Sequence, residues 1–154
     1  MENLQIRVAE AADYEAVEKI MLEVHALHVG WRPDIYKQAD IVYSDFYFEK
    51  LVSEKRIYVA ERNGQVIGHM TFLRRHVESD KQVIRNVLFI DDLAVLEDAR
   101  GQGIGTALLN AARDLVREEH MDGLELQVNA RNTAARKMYE KYGFTEKSIN
   151  LELL

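Results

Sequence analysis

The residues from Arg100 to Thr106, Arg100-Gly101-Gln102-Gly103-Ile104-Gly105-Thr106, form the segment of this chain best suited to grip a charged ligand. The segment follows a long apolar run and opens an amphipathic helix. Its glycine-rich turn presents several backbone N–H groups to one point in space. Those groups are among the four donors that a helix N-terminus leaves without partners, and the helix dipole adds partial positive charge. The natural occupant is an anion, usually a phosphate, with Arg100 available as a cation; the competing reading is a plain tight turn. Two other phosphate-binding patterns fail. No lysine follows Gly105, as a P-loop requires. A dinucleotide fingerprint started at Gly101 or Gly103 finds Thr106 or Leu108 where its third glycine belongs.

Two further constellations could carry chemistry. Asn132 and Tyr139 lie seven residues apart, close to two helical turns, so they share a helix face with the small Ala135 between them. An amide, a gap and a phenol along one face suit contact with an elongated ligand. Periodicity alone favours a capping asparagine and a half-buried tyrosine. Asp91 and Asp92 sit inside the apolar run Leu88-Phe89-Ile90-Asp91-Asp92-Leu93-Ala94-Val95. In an unbroken strand they point to opposite faces, so one faces the side that helices cover. Burying a carboxylate unpaired is costly, and a local distortion such as a bulge would fit here. A carboxylate in a semi-buried cleft has a raised pKa and can serve as a general base; the equal alternative is an exposed edge or a salt bridge.

The surrounding elements read as follows. Residues 4–8 alternate as a strand. Asp13 stands as N-cap or first-turn acid ahead of Val17, Ile20, Met21 and Val24 at helical spacing. A short helix is predicted over 46–52 and a strand over 56–61. Asn63-Gly64 marks a two-residue hairpin, whose partner strand covers 66–73. A long strand over 83–96 completes an antiparallel meander. Ile104, Leu108, Ala111 and Leu115 mark one face of a helix over 103–118. A strand over 124–128 follows, then a helix from Asn132 to Tyr142 ended by Gly143, and residues 144–154 supply one or two closing strands.

Composition bounds the answer. The chain has 154 residues, read as one domain over 1–154, with hydrophobic residues at 47% and charged residues at 30%; both shares are ordinary for a globular protein. Without cysteine there is no disulfide, thiolate metal site or cysteine nucleophile. A net charge of −6 and the lack of a basic cluster argue against nucleic acid. No apolar run reaches the length of a membrane span, and the N-terminal residues lack the features of a signal peptide. The expected location is the cytoplasm.

Leu93-Ala94-Val95, the glycine loop Arg100 to Gly105, and Asn132-Thr133-Ala134-Ala135-Arg136-Lys137-Met138-Tyr139-Glu140-Lys141-Tyr142-Gly143-Phe144 together resemble the GNAT family of N-acetyltransferases. The likeness extends over essentially the whole chain, because the element order matches. It implies an α/β (α+β mixed) fold: a mixed, mostly antiparallel sheet with helices on both faces, and two parallel central strands that splay to admit acetyl-CoA. It also implies that Leu93, Ala94 and Val95 pair with the pantetheine arm through their backbone. Arg100, Gly101, Gln102, Gly103, Ile104, Gly105 and Thr106 hold the pyrophosphate, and Asn132 and Ala135 touch the cofactor arm. By the same likeness Tyr139 protonates the departing thiolate after direct attack of an amine, and Asp91 or Asp92 is the candidate base, with Asp91 slightly preferred. Members that acetylate protein N-termini often carry a glutamate five residues before the matching asparagine. Gln127 stands there instead, which lowers the standing of that substrate class.

The resemblance also implies that the segment after the first helix helps wall the acceptor site, which points to His28, Trp31 and Tyr36, with His25 and Arg32 beside them. Two histidines without a third ligand do not make a metal site. Three functions are compatible: an acetyl-CoA-dependent acetyltransferase of a small-molecule or peptide amine, a non-catalytic acyl-CoA-binding sensor, and a scaffold that binds no cofactor. The first ranks highest. A homodimer through the last strand is conceivable, since an unpaired edge strand invites pairing.

Overall fold

Alternating side chains make Leu4–Val8 the first strand, β1, and its arginine fixes what comes next. Arg7 donates to both carboxylate oxygens of Asp13, at 2.8 and 3.0 Å. Asp13 occupies the N-cap position of helix α1 (Tyr14–Trp31), yet its side chain does not cap that helix; it also accepts the Glu10 N–H at 2.7 Å. Ser44 caps helix α2 (Asp45–Ser53) by accepting from the Tyr47 N–H at 3.1 Å. The structure is a computed structural model and describes residues 3–154.

The meander forms as its turn chemistry requires. Strands β2 (Ile57–Arg62) and β3 (Gln65–Ser79) meet at Asn63-Gly64, both in the left-handed region at φ 53° and 77°. That is the conformation of a two-residue hairpin turn whose twist matches its strands. Strand β4 (Gln82–Val95) returns antiparallel to β3. After helix α3 (Ile104–Glu118), strand β5 (Gly123–Leu126) pairs in parallel with β4 over Val87–Ile90 only. Helix α4 (Thr133–Tyr142) follows. The strand order is β1-β2-β3-β4-β5, antiparallel except for the last pair.

Alternation along β3 distributes the helices over both faces. A Cβ built on Gly68 would lie 3.1 Å from Ile104 Cγ2 and 3.5 Å from Leu108 Cδ1, so Gly68 faces α3 at close approach. His69, the next residue, turns the other way and meets the Tyr43 ring at 5.9 Å. Tyr43 lies between α1 and α2, and the buried Glu18 of α1 accepts the backbone N–H groups of Val42 and Tyr43 at 2.8 and 2.9 Å. Phe72, Met70, Leu88, Ile104, Leu108 and Leu109 are among the large side chains fully buried in the core.

Two expectations need correction. The strand predicted over 124–128 ends at Leu126, and no strand forms over residues 144–154. The segment is tied by charged side chains rather than by a backbone ladder: Glu152 to Arg32, Lys147 to Glu125 and Glu146 to Arg136. Its alternating apolar residues turn outward, with Ile149, Leu151 and Leu153 exposed at 70, 86 and 99%. Among the described residues, β5 is therefore one edge of the sheet, and β1 the other.

Candidate active site

The cleft starts where β4 and β5 part. Four residues of β4 pair with β5, after which β5 has ended and β4 runs on to Val95. The Leu96 N–H donates to Ile67 O on β3 at 2.8 Å. Backbone groups along a strand alternate between its two edges, so Leu93 and Val95 present theirs to the edge that β5 has vacated. The Val95 carbonyl accepts from Arg100 Nε at 3.1 Å, which agrees with that direction. The side chain of Ala94 is buried in the core, and Leu93 packs toward α3.

The glycine loop follows a 3₁₀ turn at Glu97–Ala99. Gly101 and Gly103 take φ of 75° and 81°, a conformation that side chains resist and glycine adopts freely. Gly103 is the N-cap of α3, and no side chain caps the helix. Gly101, Gln102, Gly103 and Thr106 are exposed, whereas Ile104 and Gly105 are buried. Ile104 packs on the sheet, so it can offer a ligand only its backbone. The Gln102 side chain is held by contacts within the protein: its oxygen accepts from Arg62 at 2.7 Å and its amide nitrogen donates to Asp98 O at 3.4 Å. An uncapped helix N-terminus with exposed glycines fits a pyrophosphate.

Helix α4 closes the cleft. The Asn132 side-chain oxygen Oδ1 accepts the Ala135 N–H at 3.2 Å, so it acts as the helix cap that periodicity favoured. Gly143 ends the helix at φ 123°. Met138 packs where a Gly105 side chain would stand, and the Tyr142 hydroxyl donates to Asn110 of α3 at 2.8 Å. Tyr139 is buried edge-on against Phe144 at 5.7 Å. Burial, with the nearby charge of Asp92, pushes its hydroxyl up to about 12.

The two aspartates are separated by a bulge. Thr71 pairs with Asp92 but Phe72 pairs with Ile90, which leaves Asp91 as the extra residue of β4. Two residues of the bulged strand then oppose one, and the simple alternation expected of Asp91 and Asp92 does not hold. Asp92 is half-buried and held: it accepts from the Tyr43 hydroxyl, and from the Thr71 hydroxyl at 3.3 Å. His69 Nε2 lies 3.4 Å from the same Tyr43 hydroxyl. Asp91 is exposed and has no such donors among the described residues. Partial burial and the charge of Asp92 raise its pKa above the usual carboxylate value, while Arg56 and Arg75 oppose that rise.

Glu18, Tyr43, His69 and Thr71 were absent from the candidate residues read in the sequence. One signal was there: His69 and Thr71 interrupt an apolar strand two residues apart, so they share a face. Tyr43 and Glu18 left no comparable trace, because only the packing of α1 brings them to the sheet. The residues expected to wall the acceptor lie near one another and are tied locally. His28 meets Trp31 and Tyr36 at 5.2 Å each, and its Nδ1 bonds Val24 O at 2.9 Å. His25 Nε2 bonds Lys37 O at 2.6 Å. Arg131, just before Asn132, donates to the Trp31 carbonyl, while Arg32 pairs with Asp34 at 2.7 Å.

Residues 21–144 match the model of the acetyltransferase (GNAT) family. The chain is 28% identical to the uncharacterized N-acetyltransferase YhfO of Bacillus subtilis, over 93% of this chain and 91% of that one. It is 29% identical to the L-amino acid N-acetyltransferase AaaT of Escherichia coli, over 94% of this chain and 84% of that protein. A point mutant of the BH1408 protein of Bacillus halodurans superposes with a TM-score of 0.90 at 25% identity, covering 97% of this chain and 98% of that one.

Proposed function

Because the chain belongs to the GNAT acetyltransferase family and is an acetyl-CoA-dependent acetyltransferase, we propose that it acetylates the primary amine of a small molecule or peptide by direct transfer, with Asp91 as base and Tyr139 as acid. Bound acetyl-CoA supplies an acetyl group as a thioester, whose C–S bond breaks as the new C–N bond forms. The observation that carries the reading is the division of labour at the bulge. Asp92 is committed to the Tyr43 and Thr71 hydroxyls, whereas Asp91 stands exposed beside it.

An amine at neutral pH arrives as an ammonium and must lose a proton before it can attack. A carboxylate raised above its ordinary value is a better match for that task than an unperturbed one. Asp91 Oδ takes the proton directly or through one water; the second proton, which the nitrogen sheds as the amide forms, passes to solvent, and solvent returns one to Tyr139. The Leu93 N–H, on the vacated edge, can donate to a carbonyl oxygen as charge develops there. Tyr139 carries its proton at neutral pH and offers it from Oη to the departing sulfur. Exposed N–H groups of Gly101 and Gly103, with those at the start of α3, hold the pyrophosphate, and Arg100 adds charge. Gln102, Thr106, Asn132 and Ala135 border the path, and His28, Trp31 and Tyr36 form the outer acceptor wall.

The test is thiol release from acetyl-CoA across a panel of primary amines, with Tyr139→Phe and Asp91→Asn alongside. Turnover on one amine class, cut about 100-fold by Tyr139→Phe with cofactor binding intact, is expected. Binding of acetyl-CoA with no turnover on any amine would favour a sensor.

A further inference from the structure

Arg75 is an arginine with nothing to hold. Along β3 it lies on the same face as Leu73 and Thr71, and the Thr71 hydroxyl donates to Asp92, so Arg75 shares the face that carries Asp92, next to Asp91 at the bulge. Its guanidinium carbon lies 3.6 Å from the centre of the Phe89 ring. Phe89 is paired with Leu73, two residues before Asp91 on β4. The neighbouring arginines are spent. Arg74 turns to the other face and binds Glu119 through two nitrogens at 2.7 and 2.6 Å. Arg56 donates to Phe72 O at 2.9 Å and to Glu54 at 3.0 Å. Among the described residues Arg75 makes no ion pair, and Asp91 is a carboxylate that feels its charge alongside that of Arg56.

From this juxtaposition we infer that Arg75 and Asp91 together select an acceptor whose amine and carboxylate lie close together, an amino acid or near analogue, with Asp91 facing the amine and Arg75 the carboxylate. The inference rests on the acetyl-transfer reading above. A guanidinium stacked on a ring keeps its in-plane N–H donors free, and those donors match a carboxylate two at a time. Stacking also fixes the long side chain, which lowers the entropy lost on binding. Two strand residues span about 7 Å. That backbone spacing, from the ring that carries the guanidinium to Asp91, suits an acceptor whose charges lie a few bonds apart rather than at the two ends of a long chain. An extended polyamine would bring a second cation toward Arg75 and be repelled.

Acetyl transfer is measured for a set of L-amino acids and, for each, its C-terminal amide. In the wild type the carboxylates are expected to lead their amides at least tenfold in kcat/KM. Arg75→Gln brings that ratio toward one, and Arg75→Lys restores part of it. Amides equal to or better than carboxylates, or a ratio that Arg75→Gln leaves unmoved, would overturn the inference while leaving acetyl transfer standing. If neither set turns over, binding of the same compounds to the CoA-loaded protein decides. Amino acids that bind over amides in an Arg75-dependent way keep the inference and remove the transfer reading, and no such preference removes the inference too.

Discussion

Single residues set the protonation of the site. Tyr139, pushed up to about 12, stays protonated at neutral pH, as the proposed role of proton donor requires. Asp91 is the group whose titration activity should follow. It must be ionised to accept a proton, so kcat/KM falls as the pH drops through its raised pKa, and Asp91→Asn should lower activity and erase that acid limb in a pH–rate profile. His69 makes the opposite kind of statement, about stability. It is fully buried and pushed from 6.5 down to about 4 by desolvation, against the pull of Asp92. The unfolded chain takes up this proton near pH 6.5, and the folded one only near 4. The stability associated with neutral His69 is therefore whole above pH 6.5 and is lost as pH falls toward 4, by up to about 3 kcal/mol. Urea melts at pH 7.5 and 4.5 should show this loss, and His69→Leu should flatten it.

Elements govern how closely the cleft walls approach. Gly68 lets α3 lie against β3, and its built Cβ would also stand 3.2 Å from the Ala94 carbonyl. Gly68→Ala should push α3 from the sheet and cost about 1–3 kcal/mol, read as a lower denaturant midpoint. Periodicity and caps made these elements legible. Asn63-Gly64 predicted its hairpin, and Ile104, Leu108 and Leu115 predicted α3. Ser44, the cap of α2, was not singled out, and the 3₁₀ turns at Ala11–Asp13 and Glu97–Ala99 left no periodic signal. The closing strands expected over residues 144–154 do not form, because a strand needs a ladder partner and this segment is held by ion pairs. The bulge at Asp91 was legible as a cost, two carboxylates in an apolar strand. Its outcome, one aspartate held by Tyr43 and one left free, depended on a long-range contact that spacing does not encode.

For the molecule as a whole, ligand and fold are linked. No helix among the described residues is long and apolar enough to cross a membrane. A ligand that binds only the folded state stabilises it by about 2.7 kcal/mol at a hundred times its Kd, which for a chain of this length is a rise in Tm of roughly 5–10 °C. Acetyl-CoA should produce that rise in a thermal melt; an unmoved melt would point to a scaffold that had lost its cofactor. The short pairing of β4 with β5 also gives neighbouring amides different clocks. Leu93 and Val95 turn their N–H groups to the vacated edge, while Leu96 donates to β3. In deuterated water the first two should exchange without any part of the sheet opening, and Leu96 should wait for the sheet to open. A single strand would thus record occupancy of its cleft on one edge and the integrity of the protein on the other, residue by residue, in one exchange experiment.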